Sequence, residues 1–300
     1  MGFRAHENGV VRPVILLGAP RSGTSLLADI LGSHPDVALL REPRLVWRYG
    51  NDGRSDQLGP QHATPKVVEH IHRCFAAVLT EQGADRIVEK TPANSVRPRF
   101  VEAVFPDARY VHITRNGWAT VPAIRSFWER RGTGLDRRQL RKARRRFSEA
   151  SLRQVPHYAL EAARRVTGSR RTALYGPRLA GMQDVLDELG RLEAAAQQWR
   201  TCVDQVTVFG RDVGPGRYTE IQLETLDLKV LESVLDFCDL SRSPQVLDRF
   251  TERYRLEEGP SRQPLSASEE AVIAPYVEPA NAWLGYPAAS PSRLDDGDRR

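Results

Sequence analysis

The stretch Gly18-Ala19-Pro20-Arg21-Ser22-Gly23-Thr24-Ser25 gathers an arginine and three hydroxyl side chains around two glycines. Glycines at that spacing let backbone N–H groups, and the N-terminus of a helix that follows, close around phosphate oxygens. A loop that hydrolyses ATP needs a lysine where Thr24 stands, reaching the β and γ phosphates, together with a hydroxyl on Mg²⁺. Its absence makes a P-loop nucleotide or small-molecule kinase the second reading. A bare turn is disfavoured, because Arg21 and the hydroxyls crowd the same loop.

Two further stretches could handle an anion. Lys90 stands in Glu89-Lys90-Thr91-Pro92, in a chain whose other lysines are Lys66, Lys142 and Lys229 only. Arg115 stands in Thr114-Arg115-Asn116-Gly117, and a guanidinium matches phosphate geometry with paired hydrogen bonds.

The surrounding patterns say what must position these groups. Pro13 to Leu17 is a short apolar run, read as a buried parallel strand, and Leu26, Leu27, Ile30 and Leu31 recur at helical spacing until Gly32. Arg86 to Val88 and Ala108 to Ile113 read as strands whose C-terminal ends carry the charged residues. Helical patterns run over Val96 to Phe105, Trp118 to Trp128 and Met182 to Val206. Tyr218 to Leu223 and Leu226 to Phe237 read as one more strand and helix. This order predicts an α/β fold: a P-loop, doubly wound, mostly parallel sheet flanked by helices, with a helical insertion. Ligands bind beyond the carboxyl ends of strands in such sheets.

One domain over residues 1–287 is expected, holding an arginine-rich helical segment at about 129–172, with a disordered Pro, Ser and Asp rich tail at 288–300. No apolar run is long enough to span a bilayer, and the start is too polar for a secretory signal, so a cytoplasmic location is the expectation. The net charge of +6 favours anionic partners without naming one. Cys74, Cys202 and Cys238 have neither disulfide nor zinc spacing, and His70 and His72 lie on different faces of a helix, so no metal site is expected. Trp128 and Trp199 read as core. The arginine-rich segment lacks interleaved aromatics, which argues against a nucleic-acid partner.

The three motifs, in this order, resemble those of the sulfotransferase superfamily that uses 3′-phosphoadenosine 5′-phosphosulfate (PAPS). Pro20 through Leu27, continuing over His34-Pro35-Asp36-Val37 to Arg41-Glu42-Pro43-Arg44, is similar to the 5′-phosphosulfate loop of bacterial members and of tyrosylprotein sulfotransferases. The resemblance implies an enzyme moving a sulfuryl group from PAPS to a hydroxyl of a small metabolite, lipid, sugar or tyrosine-like phenol, without a metal. A second copy of the chain, in a homodimer, is the other partner allowed.

Within that resemblance Pro20, Arg21, Ser22, Gly23, Thr24 and Ser25 hold the 5′ end, and Arg21 and Lys90 stabilise the leaving phosphate. Arg115 binds the 3′-phosphate. The family's serine eight residues later is Ala123 here, leaving Thr120 or Ser126, on the same helical face, to supply the hydroxyl. Tyr175-Gly176-Pro177-Arg178 recurs in bacterial members, which puts Arg178 at the nucleotide or acceptor site. Glu42, by its spacing from Arg21, is the expected general base and Arg44 a substrate-side group. Glu89 and His112 are the alternatives for that base.

Overall fold

The computed structural model describes residues 10–131, 154, 175–257 and 265–287. The chain runs β1 (Val14–Leu17), α1 (Thr24–Leu31), β2 (Val37–Arg41), α2 (Arg44–Arg48), α3 (Pro65–Gln82), β3 (Arg86–Lys90), a 3₁₀ turn (Pro92–Val96), α4 (Pro98–Val104), β4 (Arg109–Thr114) and α5 (Gly117–Arg131). It continues with α6 (Met182–Val213), β5 (Tyr218–Gln222), α7 (Leu228–Phe237), α8 (Pro244–Glu257) and α9 (Ala267–Trp283). The 288–300 tail lies outside the described residues, and so does the arginine-rich segment beyond Arg131, apart from Gln154. That side chain donates to the Leu45 carbonyl at 2.8 Å and to Asp52 Oδ1 at 2.7 Å.

The five strands form one sheet in the order β2-β3-β1-β4-β5, and every neighbouring pair is parallel. β1 sits in the middle with all four residues buried, as a parallel strand covered on both faces should be. The chain leaves β1 towards β2 on one side, and leaves β4 towards β5 on the other. The crevice between β1 and β4 is therefore the topological switch point, where open α/β sheets take their ligands.

Alternation along the strands sends Ile15, Leu17, Ala38, Leu40, Ile87 and Tyr110 to one face, where α3, α4 and the end of α6 cover them through Phe75, Phe100 and Phe209. Val14, Leu16, Val88, Val111 and Ile113 face α1, α7 and α8. A third cluster joins α5, α6 and α9 around Trp128 and Trp199, both core residues at 2% and 1% exposure.

β2 has no counterpart among the strands expected from the sequence. Its five residues end in the exposed Arg41 and run straight into Glu42-Pro43, so its apolar run is short; pairing with β3 makes it a strand. α6 extends beyond the expected helix to Val213 and breaks at Gly190, whose φ of 83° and ψ of 179° only glycine adopts readily. Among the described residues no helix is long and apolar enough to cross a membrane.

Candidate active site

The glycine loop begins where β1 leaves the sheet. Gly18 has φ 155°, and a Cβ there would lie 2.5 Å from the Ile113 carbonyl oxygen and 2.7 Å from Ser22 Oγ, so no side chain fits. Gly23 turns left-handed (φ 95°) to start α1, whose first amides receive no side-chain cap. A helix N-terminus left open in a loop of this kind attracts an anion. Arg21 itself adopts φ 70° and is exposed, as is Ser25, whereas Ser22 and Thr24 are buried. The Ser22 hydroxyl donates to the Ala19 carbonyl at 2.8 Å and braces the loop from within.

Arg115 follows β4, on the other bank of the switch point. Its Nη1 donates to the Arg21 carbonyl at 3.2 Å, which brings two guanidinium groups of distant sequence position to one loop. The Arg21 guanidinium stands 5.7 Å from the ring centroid of Phe127 on α5.

Glu42 and Lys90 meet because β2 and β3 pair in parallel with Arg41 opposite Lys90. The Glu42 amide donates to the Lys90 carbonyl at 2.8 Å, and Glu42 turns left-handed (φ 53°) as it leaves the sheet. Lys90 Nζ then donates to Glu42 Oε1 at 2.8 Å, and Arg44 Nη2 to Oε2 at 2.8 Å. Each carboxylate oxygen is held by a cation, while the Glu42 side chain keeps 32% of its surface exposed.

Glu89 points to the opposite face from Lys90 and is fully buried. Trp47 Nε1 donates to its Oε1 at 3.1 Å, the Thr91 hydroxyl donates to the same oxygen, and Asn94 Nδ2 donates to Oε2 at 2.9 Å. Burial pushes its carboxyl up to about 7 despite these donors. Asn94 in turn accepts from Arg97 Nε at 2.8 Å, and burial pulls the Arg97 guanidinium down to about 10. Arg97 lies 3.7 Å from the buried Asp56, which Arg48 grips with two bonds of 3.1 Å and Arg178 approaches at 3.6 Å. Burial alone would raise the Asp56 carboxyl, but the three arginines hold it below the ordinary aspartate range.

Arg178 is thus directed to the 52–56 loop, donating to the Arg54 carbonyl at 2.9 Å. Its neighbour Gly176 packs against the loop: a Cβ there would stand 3.0 Å from Pro20 and 2.7 Å from Gln198 Oε1. Gln198 Nε2 and Trp128 Nε1 hold this segment through the Tyr175 carbonyl, and Phe127 meets the Tyr175 ring edge-on. His112 is buried and turned to β5, its Nδ1 2.8 Å from the Tyr218 hydroxyl and 3.0 Å from Glu220 Oε2. On α5 the buried Thr120 spends its hydroxyl on the Asn116 carbonyl at 2.9 Å, whereas Ala123 and Ser126 are half-buried.

A model of the sulfotransferase family matches residues 13–171. The chain belongs to that family. Among curated relatives, nodulation protein NoeE of Sinorhizobium fredii (strain NBRC 101917 / NGR234) is 30% identical over 129 residues, covering 38% of this chain and 31% of that one. The protein-tyrosine sulfotransferase of Drosophila melanogaster is 30% identical over 124 residues, covering 37% and 25%. The matches thus span a third or less of these relatives' lengths. The sulfotransferase STF9 of Mycobacterium avium shares the fold at a TM-score of 0.50 and 16% identity, covering 92% of this chain and 76% of that one.

Around this candidate site the structure adds residues that the motifs did not single out: Phe127 beneath Arg21, Asp56 and Arg97 behind α2, and Ser95 against Gly18. Ser95 follows the Glu89-Lys90-Thr91-Pro92 motif by three residues, but nothing local marks its partner. A surface depression of about 600 Å³, lined by Asp29, Ser33, Arg41 and Arg249 among others, lies between α1 and α8 and includes no residue of the loop. Among the described residues no group of three or more potential ligands could hold a metal ion.

Proposed function

We propose that the protein transfers a sulfuryl group from PAPS to an acceptor hydroxyl, with Glu42 taking the acceptor's proton. The observation that carries this reading is the Glu42–Lys90 ion pair, built by strand pairing at the strand ends that also bear the glycine loop. The loop fits an anionic nucleotide. Two glycines without room or conformational tolerance for a side chain, uncapped amides at the start of α1, and the exposed Arg21 and Ser25 would hold a 5′-phosphosulfate. Arg115 would hold the 3′-phosphate.

When bound, the donor supplies an activated sulfuryl group. The chain's own residues have two tasks. Glu42 accepts the proton as the acceptor oxygen attacks, from a carboxylate that is anchored yet reachable. Lys90 and Arg21 neutralise charge that grows on the phosphate side, and fixed groups achieve this without reorganising. Thr24 leaves the loop without the lysine that ATP chemistry needs, and a sulfuryl group carries less charge than a phosphoryl group. The acceptor is a small metabolite, lipid, sugar or phenol.

The test combines binding with turnover. Adenosine 3′,5′-bisphosphate should raise the melting temperature in a concentration-dependent way, because a ligand selective for the native state stabilises it by mass action. Incubation with PAPS and metabolite extracts should give products heavier by one sulfate in mass spectrometry. Stabilisation by ATP with Mg²⁺ but not by the bisphosphate would favour the kinase reading instead.

A further inference from the structure

We propose that Ser95 is the positioning residue of the donor loop, its single hydroxyl fixing both backbone groups of Gly18 and thereby aiming the amides that hold the donor's 5′ end. The proposal rests on the donor reading above and adds to it a residue outside the motif. The Gly18 amide donates to Ser95 Oγ at 2.8 Å, and Ser95 Oγ donates to the Gly18 carbonyl at 3.0 Å. Ser95 is fully buried, so no water competes. The registered partners of β1 end at Leu16 with β3 and at Leu17 with β4, so Gly18 lies just past the ladder. A buried peptide group there needs a partner, and Ser95 serves as both donor and acceptor.

The next peptide is pinned in the same way, since Ser22 bonds the Ala19 carbonyl through its hydroxyl at 2.8 Å and its amide at 3.2 Å. Two serines thus hold three successive peptide groups, those on either side of Gly18 and the one after Ala19, and only then does the chain turn through Pro20 and the left-handed Arg21. Glycine is the residue most able to drift when such restraints go. Ser95 is itself held from behind: the 3₁₀ turn that carries it is fixed by Thr91 and Asn94 donating to Glu89. The anchor is therefore independent of the loop it restrains, as a preorganised binding site requires.

The test uses two nucleotides that differ only at the 5′ end. Ser95→Ala should weaken adenosine 3′,5′-bisphosphate by about tenfold while leaving adenosine 3′-monophosphate within about twofold, as expected when a hydrogen-bonded support is lost on one side of the ligand only. Ser95→Cys, close in volume but a weaker hydrogen-bonding group, should show the same selectivity at smaller size and serves if the alanine variant does not fold. Equal loss for both nucleotides, or loss for neither, would make Ser95 a merely structural residue and overturn the assignment. Wild-type protein that binds neither nucleotide would instead overturn the donor reading, and the assignment with it.

Discussion

The half-buried Glu42 carboxylate has each oxygen bound by a different cation, Lys90 on one and Arg44 on the other. That arrangement fixes the direction of its lone pairs, and a positioned carboxylate contributes about 10²–10⁴-fold to proton transfer. Glu42→Gln keeps the size and removes the basicity. It should lower kcat by roughly a hundredfold or more while the affinity for adenosine 3′,5′-bisphosphate stays nearly constant, a pattern that steady-state kinetics and calorimetry read separately. Normal turnover by this variant would return the role to Glu89, although that carboxyl is enclosed by Trp47, Thr91 and Asn94. Arg115 supports a second expectation. Arg115→Ala should cost on the order of 2 kcal/mol in binding the 3′,5′-bisphosphate and little for a nucleotide lacking the 3′-phosphate. Equal losses would show that it does not read the 3′ group.

At the scale of elements, the end of β3 does two jobs on its two faces. Lys90 projects to the reacting side and Glu89 to the packed side, because neighbouring strand residues alternate. Glu89 ties the 3₁₀ turn to Trp47 of α2 and so couples the segment under the loop to the helix that follows Glu42. This has a consequence for stability. The carboxyl lies near 7 in the folded chain against 4.5 in the ordinary case. Between those values the unfolded chain has lost the proton that the folded chain retains, so stability falls as pH rises through this window and levels off above about 7. The unfolding free energy of wild type minus that of Glu89→Gln should therefore fall by up to about 1.4 kcal/mol per pH unit from about 4.5 to 7. Any constant effect of the amide cancels in that slope. Urea titrations of both proteins across the window measure it, and a pH-independent difference would mean that Glu89 is ionised in the fold throughout.

For the whole molecule, the sheet order decides which charges converge. The switch point between β1 and β4 gathers Arg21 and Arg115, and the β2–β3 edge next to it brings Glu42 to Lys90. In the proposed reaction the positive charge comes from Arg21, Lys90 and Arg115, side chains fixed to three strand ends. Sulfate transfer should accordingly proceed at an unchanged rate in EDTA, with no gain on adding Mg²⁺. A loss of turnover that Mg²⁺ alone restores would contradict the proposed chemistry.

The glycine loop, Lys90 and Arg115 are legible in the sequence because their chemistry is local: glycines where φ must be positive, and cations at the ends of apolar runs. β1, β3, β4 and β5 are legible for the same reason, while β2 is not, since it becomes a strand only by pairing with β3. The resemblance to tyrosylprotein sulfotransferases singles out Glu42 through its distance from Arg21, but its ion pair with Lys90, 48 residues away, comes from the register of two strands. Ser95 reaches Gly18 across 77 residues, and Arg97 finds Asp56 from a separate element. Such partners are chosen by which strands lie side by side and which face a side chain takes, and both depend on packing the whole sheet. The sequence therefore determined the groups that could do the chemistry, and the tertiary structure decided which of them meet at the strand ends and which are buried behind them as supports.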